Sequence, residues 1–341
     1  MGSSPSMGSS RLNSVASKAI AVAALCGFAL APLASAAQKR AAADDYPSKP
    51  VRFVSPFSAG GGTDIVARAL AQRMSETLGR PFVVDNRGGA DGVICTDLAA
   101  KSPADGYTLL VANLGTFCLT PNMRKLPYDP LKDFEPITQT TASSTVLVVN
   151  PAVPVRTVKE LVALAKARPG QLNYGASSNG TALPMELFRQ MAGISLNHVP
   201  YKGTGPALIA LMGGEVQVMF GGSIATVPQV RNGKLRALAV AGDRRTRTLP
   251  EVPTVAEAGY PGYEANTWNG IVAPAGTPRP IVDKLNAAMV KVLRSPEVRE
   301  TMTADGAEPV YNTPEEFRAY LRECHGKWAK VIKTAGLKEN R

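Results

Sequence analysis

"PFSAGGGTDIVAR", residues 56–68, places three consecutive glycines between a strand-like run and a helix-like run. Glycine leaves the backbone bare, so its N–H groups can approach a partner closely, and an anion is the usual partner at such a position. The N–H groups would converge at the start of the following helix, whose dipole adds to them. Asp64 is placed to cap that helix start through its carboxylate. The stretch predicts an anion-binding loop, with an ordinary tight turn as the alternative.

This loop matches neither of two common phosphate-binding motifs. No Gly-Lys-Ser/Thr follows the glycines, as a Walker loop requires, and the G-x-G-x-x-G spacing of dinucleotide sites is absent. A second small-residue loop, "YGASSNGT" at residues 174–181, also lies between a strand pattern and a helix pattern. We therefore expect both loops to donate backbone N–H and hydroxyl hydrogen bonds to one shared carboxylate.

Strand and helix patterns alternate along the chain, which predicts an α/β fold with mainly parallel sheets. One helix is marked by Val66, Leu70, Met74 and Leu78, which recur every four residues, with Gly79 at the position of a C-terminal cap. Strand-like runs lie at residues 51–57, 107–112, 146–149, 172–174, 198–201, 216–220, 235–240 and 268–273. Helix-like stretches lie at residues 63–78, 158–167, 185–192, 206–212, 278–293 and 313–334.

Two extended segments, residues 148–151 and 264–268, are far apart in the chain and bracket a series of α/β units. This predicts an inserted domain. Residues 46–147 and 265–341 would form lobe 1, and residues 148–264 would form lobe 2. Two crossing strands would join the lobes and allow them to hinge.

The first 36 residues have the pattern of a secretory signal peptide: Arg11 and Lys18 precede an apolar run at residues 19–33, followed by Ala34-Ser35-Ala36. A membrane anchor is the alternative, but the run is shorter than the roughly 20 residues that a spanning helix needs. Removing the segment lowers the formal net charge from +11 to +9, because two cations leave with it. No block of Lys or Arg occurs, so we expect small anions rather than nucleic acid as partners.

The cysteines and histidines give little sign of a cofactor. Cys95, Cys118 and Cys324 remain after the leader, without a C-x-x-C motif or a His at metal-binding spacing, so neither a metal nor another cofactor is expected. In an oxidising compartment Cys95 and Cys118 could pair, and their spacing leaves this open.

An exported serine hydrolase of carboxylate esters is an alternative function. Residues 175–179 and 221–225 resemble a G-x-S-x-G nucleophile elbow that lacks its final glycine. The two histidines are poorly placed as bases, because His198 begins a strand pattern and His325 lies in a helix pattern. A binding protein without catalysis is therefore favoured.

Over residues 46–337 the chain resembles the periplasmic solute receptors of tripartite tricarboxylate transporters, the Bug family. The matching stretches include "YPSKPVRFVSPFSAGGGTDIVAR", "VVDNRGGADG", "SPADGYTLL", "HVPYKGTGPALIALMGGEVQVMF" and "LPEVPTVAEAGYPGYEANTWNGIVAPAGTP". The resemblance implies a type II periplasmic-binding-protein-like fold whose two α/β lobes close on a small carboxylate. It also implies a monomer that delivers this ligand to membrane permease subunits. A ligand-sensing domain for a signalling partner uses the same fold and is a further alternative.

The resemblance assigns the anion-binding role to residues 57–63 and 177–181, where relatives hold a carboxylate partly through ordered waters. Strand ends that would face these loops add further candidates. The complete set of predicted ligand-binding residues is Phe57, Ser58, Ala59, Gly60, Gly61, Gly62, Thr63, Asn113, Thr116, Phe117, Ser177, Ser178, Asn179, Gly180, Thr181, Thr204, Gly221, Gly222, Ser223 and Trp268.

Two departures from the family pattern bear on the ligand. Pro184 stands where relatives commonly carry His, and Gly221-Gly222-Ser223 stands where amino-acid-binding members place an acid. A desolvated ammonium needs a carboxylate or several acceptors, and Gly221 supplies none. We therefore expect a dicarboxylate, a hydroxy acid or an aromatic carboxylate, with Phe117 and Trp268 as apolar walls.

Overall fold

The computed structural model of the protein describes Gly2, residues 45–304 and residues 306–334. Apart from Gly2, the predicted signal peptide lies outside the described residues. The chain divides into two compact units, Met1–Tyr46 and Pro47–Arg341, and the second contains every helix and strand described below.

The elements alternate between strand and helix for most of the chain. The first part contains β1 (Val51–Ser55), α1 (Gly62–Leu78), β2 (Phe82–Asn86), a 3₁₀ turn (Ala90–Gly92), α2 (Val93–Ala100), β3 (Thr108–Asn113), a π-helix (Gly115–Leu119), α3 (Thr120–Met123) and β4 (Phe134–Val149). The middle part contains α4 (Val158–Ala167), β5 (Asn173–Ala176), α5 (Asn179–Ala192), β6 (Asn197–Pro200), α6 (Thr204–Gly213), β7 (Val218–Gly222), α7 (Ser223–Arg231) and β8 (Arg236–Val240). The last part contains β9 (Asn266–Pro274), α8 (Arg279–Arg294), α9 (Pro296–Ala304), β10 (Ala307–Pro309) and α10 (Pro314–Thr334).

The strands form one mixed sheet with the order β2-β1-β3-β9-β4-β7-β5-β6, while β8 and β10 also pair with β4. The outer strands are parallel, as β1 pairs with β2 and β3, and β5 pairs with β6 and β7. The central pairs β3–β9, β9–β4 and β4–β7 are antiparallel. The predicted α/β class is confirmed, and the parallel pairing lies on both sides of an antiparallel centre.

Strand β4 is much longer than the short strand predicted at residues 146–149. Its first part, residues 134–144, pairs with β9, and residues 145–149 pair with β7 and β8. The sequence pattern missed the first part because its buried positions include Thr138, Gln139 and Thr140 rather than apolar residues. These two strands, β4 and β9, run through the centre of the sheet and contact both groups of outer strands.

Helix α1 shows how closely local pattern and structure agree. Val66, Leu70 and Met74 are buried along one face, as their spacing predicts. The helix ends at Gly79, which is left-handed with φ 66°, and its N–H donates to the Ser75 carbonyl at 2.9 Å. A side chain at that φ would be strained, so glycine fixes the end of the helix.

The C-terminal helix α10 is amphipathic, as predicted. Phe317, Leu321, Trp328 and Ile332 are buried on one face. They join Phe117 and other residues in a single hydrophobic cluster around the π-helix. Helix α10 therefore covers the back of the segment that follows β3.

The three cysteines within the described residues are free and buried. Burial raises the pKa of the Cys95 thiol to about 12, so it stays protonated at neutral pH. The Cys118 thiol instead contacts Cys324 on α10. The Cys95–Cys118 pairing that the spacing left open is therefore not formed. Within residues 45–304 and 306–334, no helix combines the length and apolar character needed to cross a bilayer.

Candidate functional site

The glycine-rich loop between β1 and α1 has some of its amides already paired. The Ser58 amide donates to the Lys202 carbonyl at 3.3 Å, and the Gly60 amide donates to Asp64 Oδ2 at 3.0 Å. The amides of Gly62 and Thr63, at the start of α1, donate to no group among the described residues. These two amides are therefore the donors that the loop keeps for a ligand.

Asp64 holds this loop in shape from inside the protein. Its Oδ2 also accepts from Arg68 Nε at 3.0 Å, and its Oδ1 accepts from Asn86 Nδ2 at 2.9 Å. Burial by itself would raise the pKa of this carboxyl, but the hydrogen bonds from Arg68, Gly60 and Asn86 outweigh it and hold the pKa below its ordinary value. The helix cap itself is Gly61, so Asp64 acts from the third helical position by reaching back to Gly60.

We expect Asp64→Asn to lower the free energy of unfolding by about 1–3 kcal/mol at pH 7, because buried donors lose their acceptor. Because the folded pKa of Asp64 lies below the unfolded value of 3.8, its contribution is present above pH 3.8 and disappears as the pH falls through the folded pKa. Urea unfolding at several pH values measures both effects. Asp283→Asn is the control, because Asp283 forms an exposed i,i+4 pair with Arg279 and should cost about 0.5 kcal/mol or less. Equal losses in the two variants would contradict the proposed role of Asp64.

The second loop, between β5 and α5, is organised by a threonine. Thr181 Oγ1 accepts from the amides of Ser177 at 2.9 Å and Ser178 at 3.3 Å. These two amides are therefore not available to a ligand, contrary to the expectation that all of residues 177–181 offer their backbone. The amides of Asn179 and Gly180, at the helix start, have no acceptor among the described residues.

The two loops contribute to one cavity of about 60 Å³. The predicted residues that line it are Phe57, Gly62, Thr63, Asn113, Ser177, Ser178, Gly180, Thr181, Thr204 and Gly222. Six further residues line it that were not in the predicted set: Gly115, Ser143, Thr145, Ile224, Thr267 and Asn269.

Four helices begin at this cavity. Gly62 and Thr63 start α1, Ser178 and Gly180 lie at the start of α5, Thr204 starts α6, and Gly222 caps α7. Each helix start carries a partial positive charge and unpaired amides. Their convergence favours an anion without any cationic side chain.

The lining contains no Lys, Arg, His, Asp or Glu. It is made instead of backbone, hydroxyl groups, two Asn side chains, Phe57 and Ile224. Within the described part of the chain, no cluster of three or more His, Cys, Asp or Glu could hold a metal ion. The charge of an anion in this cavity would therefore be balanced by helix dipoles, amides and hydroxyl groups.

Asn113 lines the cavity and carries an unpaired donor. Its Oδ1 accepts from the Thr116 amide at 3.2 Å, which fixes the direction of the side-chain amide. Its Nδ2 is buried and has no hydrogen-bond partner among the described residues. A buried donor without a partner is costly, so a ligand acceptor at this wall would be stabilised.

Asn269 lies on β9, directly paired with Asn113 of β3, and its side chain lines this cavity. Its Oδ1 accepts from Thr63 Oγ1 at 3.1 Å, and its Nδ2 donates to Thr141 Oγ1 at 3.0 Å. This pair of hydrogen bonds ties the start of α1 to β9 and β4.

Two predicted aromatic walls are placed elsewhere, which corrects that part of the prediction. Phe117 is fully buried and packs on Phe134 and Trp268, with ring centroids 5.3 and 6.4 Å apart. Trp268 points to the other face of β9 from Thr267 and Asn269, because neighbouring strand residues alternate between faces. Neither ring lines the 60 Å³ cavity.

The remaining predicted residues that do not line the cavity support those that do. Thr116 is fully buried and positions Asn113 through its amide. The Asn179 side chain turns away and donates to Thr120 Oγ1 at 3.0 Å. Gly221 faces α7, since a Cβ there would lie 2.3 Å from Thr226 Oγ1. Ser223 Oγ donates to the Ser144 carbonyl.

Residues 58–61 also lie outside the cavity lining, and they contact residues 202–205 instead. Ser58 Oγ donates to the Lys202 carbonyl at 3.2 Å. A Cβ on Gly205 would lie 2.5 Å from the Ala59 carbonyl oxygen, and a Cβ on Gly203 would lie 2.9 Å from the Ser58 nitrogen. Only glycine permits these approaches, so the two segments form a tight backbone-to-backbone contact beside the cavity.

Ser177 and Ser223 are the serines of the two segments that resemble a nucleophile elbow. Among the described residues, neither forms a hydrogen bond to a histidine. Ser177 Oγ lies 3.1 Å from Thr204 Oγ1 and 3.3 Å from Thr181 Oγ1. His198 stacks on Tyr174 with ring centroids 4.9 Å apart, and His325 Nδ1 lies 3.1 Å from the Phe117 carbonyl oxygen. This geometry offers a binding surface rather than a nucleophile and its base.

Comparison with known proteins agrees with this geometry. The model of the tripartite tricarboxylate transporter family receptor matches residues 66–337. Protein BugT of Bordetella pertussis is 40% identical over 303 residues, which cover 87% of this chain and 92% of BugT. A UPF0065 protein encoded in the tcbD-tcbE intergenic region of Pseudomonas sp. strain P51 is 36% identical over 311 residues, covering 90% of this chain and 92% of that protein.

Solved structures show the same fold. The periplasmic binding protein BugD has a TM-score of 0.84 and 37% identity, covering 86% of this chain and 100% of BugD. An R. palustris protein solved with adipate has a TM-score of 0.83 and 38% identity, covering 86% and 99%. MatC from Rhodopseudomonas palustris, solved with bound malate, has a TM-score of 0.81 and 34% identity, covering 84% and 100%.

Proposed function

The chain belongs to the tripartite tricarboxylate transporter receptor family, and from this premise we propose that it is a periplasmic receptor for a small carboxylate. The observation that carries the proposal is the cavity lined by the starts of four helices and by no ionisable side chain. Such a site recognises negative charge through fixed dipoles and amides. The family and the fold are those of substrate-binding receptors, so ligand capture and release, rather than bond chemistry, is the function.

The proposed mechanism is closure of two lobes on the ligand, with residues 46–147 and 265–341 in one lobe and residues 148–264 in the other. The pairing of β4 supports this division, because its first part pairs with β9 and its last part with β7 and β8. The contact between residues 58–61 and 202–205 would then form across the lobes. A ligand held by Gly62 and Gly180 amides would favour the closed arrangement.

For the ligand we propose a dicarboxylate or a hydroxy acid without an ammonium group. No carboxylate lines the cavity to neutralise an ammonium. The Nδ2 donor of Asn113 offers a place for a second polar group. The sequence alone also favoured an aromatic carboxylate. This ligand is now less favoured, because Phe117 and Trp268 do not line the cavity. Two relatives were solved with adipate and malate, which are acids of the proposed class.

Calorimetry of the purified mature chain with adipate, malate, benzoate, aspartate and glutamate tests this assignment. We expect a dicarboxylate or hydroxy acid to bind most tightly. Tighter binding of aspartate or glutamate than of any of these acids would contradict the exclusion of an ammonium. If none of the five acids binds, native mass spectrometry of the protein purified without refolding would identify a retained acid.

We expect Ser177→Ala to lower ligand affinity only in part, and Ser223→Ala to do the same or less. Loss of one hydrogen bond costs about 0.5–3 kcal/mol, depending on the charge of its partner. Ser223→Ala should have the smaller effect on affinity, because the Ser223 hydroxyl donates to the Ser144 carbonyl and Ser223 does not line the cavity. The alternative, an exported serine hydrolase, predicts ester turnover by the unmodified protein and its complete loss in one variant. Parallel binding and turnover measurements distinguish these outcomes.

The receptor is proposed to work as a monomer that is exported by its leader and delivers its ligand to membrane permease subunits. The signal-peptide pattern of residues 1–36 and the family support this location. A sensory domain that presents its bound state to a signalling partner remains the alternative with the same fold. A pull-down from membranes in the presence and absence of ligand distinguishes transport from sensing, since transport predicts recovery of permease subunits.

A further inference from the structure

A second and much larger cavity lies behind the first, and it is called the rear cavity below. Its volume is about 880 Å³, within the range of small-molecule binding sites. Ala142, Ser144, Asn266 and Trp268 line only the rear cavity, Thr145 and Asn269 line only the first one, and Ser143 and Thr267 line both. The two cavities therefore adjoin at Ser143 and Thr267, while Trp268 and Asn269, on opposite faces of β9, line the rear and the first cavity respectively.

The floor of the rear cavity is aromatic. Trp268, Tyr320 and Trp328 all line it, and the Trp268 and Tyr320 ring centroids are 5.8 Å apart. The indole Nε1 of Trp268 is buried without a hydrogen-bond partner that meets normal geometry, and it faces the Cys324 thiol, which is a weak acceptor. The indole N–H is therefore directed at Cys324, and the floor offers aromatic ring surface to the cavity.

Two guanidinium groups at the rim of the rear cavity have no carboxylate partner among the described residues. Arg247 comes from the segment between β8 and β9, and Arg299 comes from α9. The other cations of the lining are paired: Arg244 with Glu308 at 3.5 Å, Lys327 with Glu264 at 3.3 Å, and Arg245 with Glu257 at 2.9 Å. Arg247 and Arg299 are thus left to neutralise an external anion.

The unpaired cations Arg247 and Arg299 lie at a different end of the rear cavity from the unpaired acid Glu323. A Cβ on Gly306, which follows α9, would lie 3.1 Å from Thr248 Oγ1, so the chain at the end of α9 contacts the segment that carries Arg247. Glu323 is on α10, next to Cys324 and near the aromatic floor. The other unpaired acid, Asp243, precedes the paired Arg244 and is exposed. The lining is therefore cationic at the α9 end.

We propose that the rear cavity is a second binding site, which takes a small aromatic carboxylate. The carboxylate is held by the guanidinium groups of Arg247 and Arg299, which suit planar, bidentate recognition. The ring packs on the aromatic floor formed by Trp268, Tyr320 and Trp328. This chemistry differs from that of the first cavity, whose lining has neither a cation nor an aromatic floor.

Tryptophan fluorescence reports on a quencher that binds in the rear cavity. The chain has two tryptophans, Trp268 and Trp328, and both line the rear cavity while neither lines the first one. The probe is 4-iodobenzoate, whose heavy atom quenches an indole that it touches. We expect saturable quenching by 4-iodobenzoate and much weaker quenching by the neutral 4-iodobenzamide.

The Arg247→Ala/Arg299→Ala double variant should raise the half-saturating concentration of 4-iodobenzoate at least about tenfold, because charge-assisted hydrogen bonds are lost. Arg322→Ala is the matched control, since Arg322 is an exposed cation of α10 that does not line the cavity, and quenching should be unchanged. Thermal melts confirm that the variants remain folded.

Quenching that rises linearly without saturation, or that is the same in all variants, would overturn the proposal. The result is independent of the function proposed for the first cavity. Adipate affinity, measured by calorimetry on the same variants, reports on the first cavity, so failure of one site is distinguishable from failure of the other.

Discussion

Gly205→Val should weaken carboxylate binding at least about a hundredfold while leaving the protein folded. A Cβ at residue 205 would lie 2.5 Å from the Ala59 carbonyl oxygen and 3.3 Å from the Gly60 carbonyl carbon. Both neighbours are backbone atoms, which cannot rotate out of the way. The glycine-rich loop would therefore have to move away from the start of α6, and the first cavity would lose one wall.

The size of this effect follows from the donors that would be misplaced. Gly62 and Thr63 offer two amides, and each hydrogen bond to a charged group contributes about 1.5–3 kcal/mol. Losing both weakens binding by roughly two orders of magnitude or more. Calorimetry with the tightest-binding acid measures the loss.

Gly213→Ala is the matched control, because Gly213 is the last residue of the same helix and a Cβ there meets no atom within 4 Å. Its affinity should equal that of the unmodified protein. If Gly205→Val also bound normally, then the contact between residues 58–61 and 202–205 would not be part of the binding-competent arrangement.

Asn113→Asp should also weaken binding of a dicarboxylate at least about a hundredfold at pH 8. The substitution keeps the shape of the side chain and replaces an unpaired donor by an anion in a cavity that holds no cationic side chain. Two like charges about 4 Å apart repel by roughly 4 kcal/mol at an effective dielectric constant of about 20. Burial should raise the pKa of the introduced carboxyl, so affinity should recover as the pH falls from 8 towards 5.5.

Asn232→Asp controls for the change in net charge, because Asn232 is exposed at the end of α7. It should leave affinity unchanged across the same pH range, as should the unmodified protein, whose first cavity has no titratable side chain. Tighter binding of an amino acid by Asn113→Asp, without loss of dicarboxylate binding, would contradict the proposed ligand class.

The sequence predicted the parts of the site that depend on local chain geometry. Gly62, the last of the three glycines, and the small-residue loop before α5 both lie at the cavity, because a strand followed by a helix places unpaired amides at one point. Helix α4 was predicted with its observed bounds, Val158–Ala167, because its apolar period and its Thr157 cap are local signals.

The errors arise where the role of a residue depends on which face of a strand carries its side chain. Trp268 was predicted as an apolar wall of the site, but Thr267 and Asn269 line the cavity, since a shift of one residue in a strand moves a side chain to the other face. Ser143 was missed because the polar first part of β4 gives no apolar strand signal, and Thr145 directly precedes the run predicted at residues 146–149. The amides of Ser177 and Ser178 were predicted as ligand donors, but the hydroxyl of Thr181 accepts both of them.

A crystal structure of the protein grown with the dicarboxylate that raises its melting temperature most is the most direct test of the central claim. We predict carboxylate oxygens about 2.7–3.2 Å from the amide nitrogens of Gly62 or Thr63 and of Gly180, or linked to them by one water. No Lys or Arg side chain should touch the ligand. A carboxylate bound by such a side chain, or located away from these helix starts, would contradict the account.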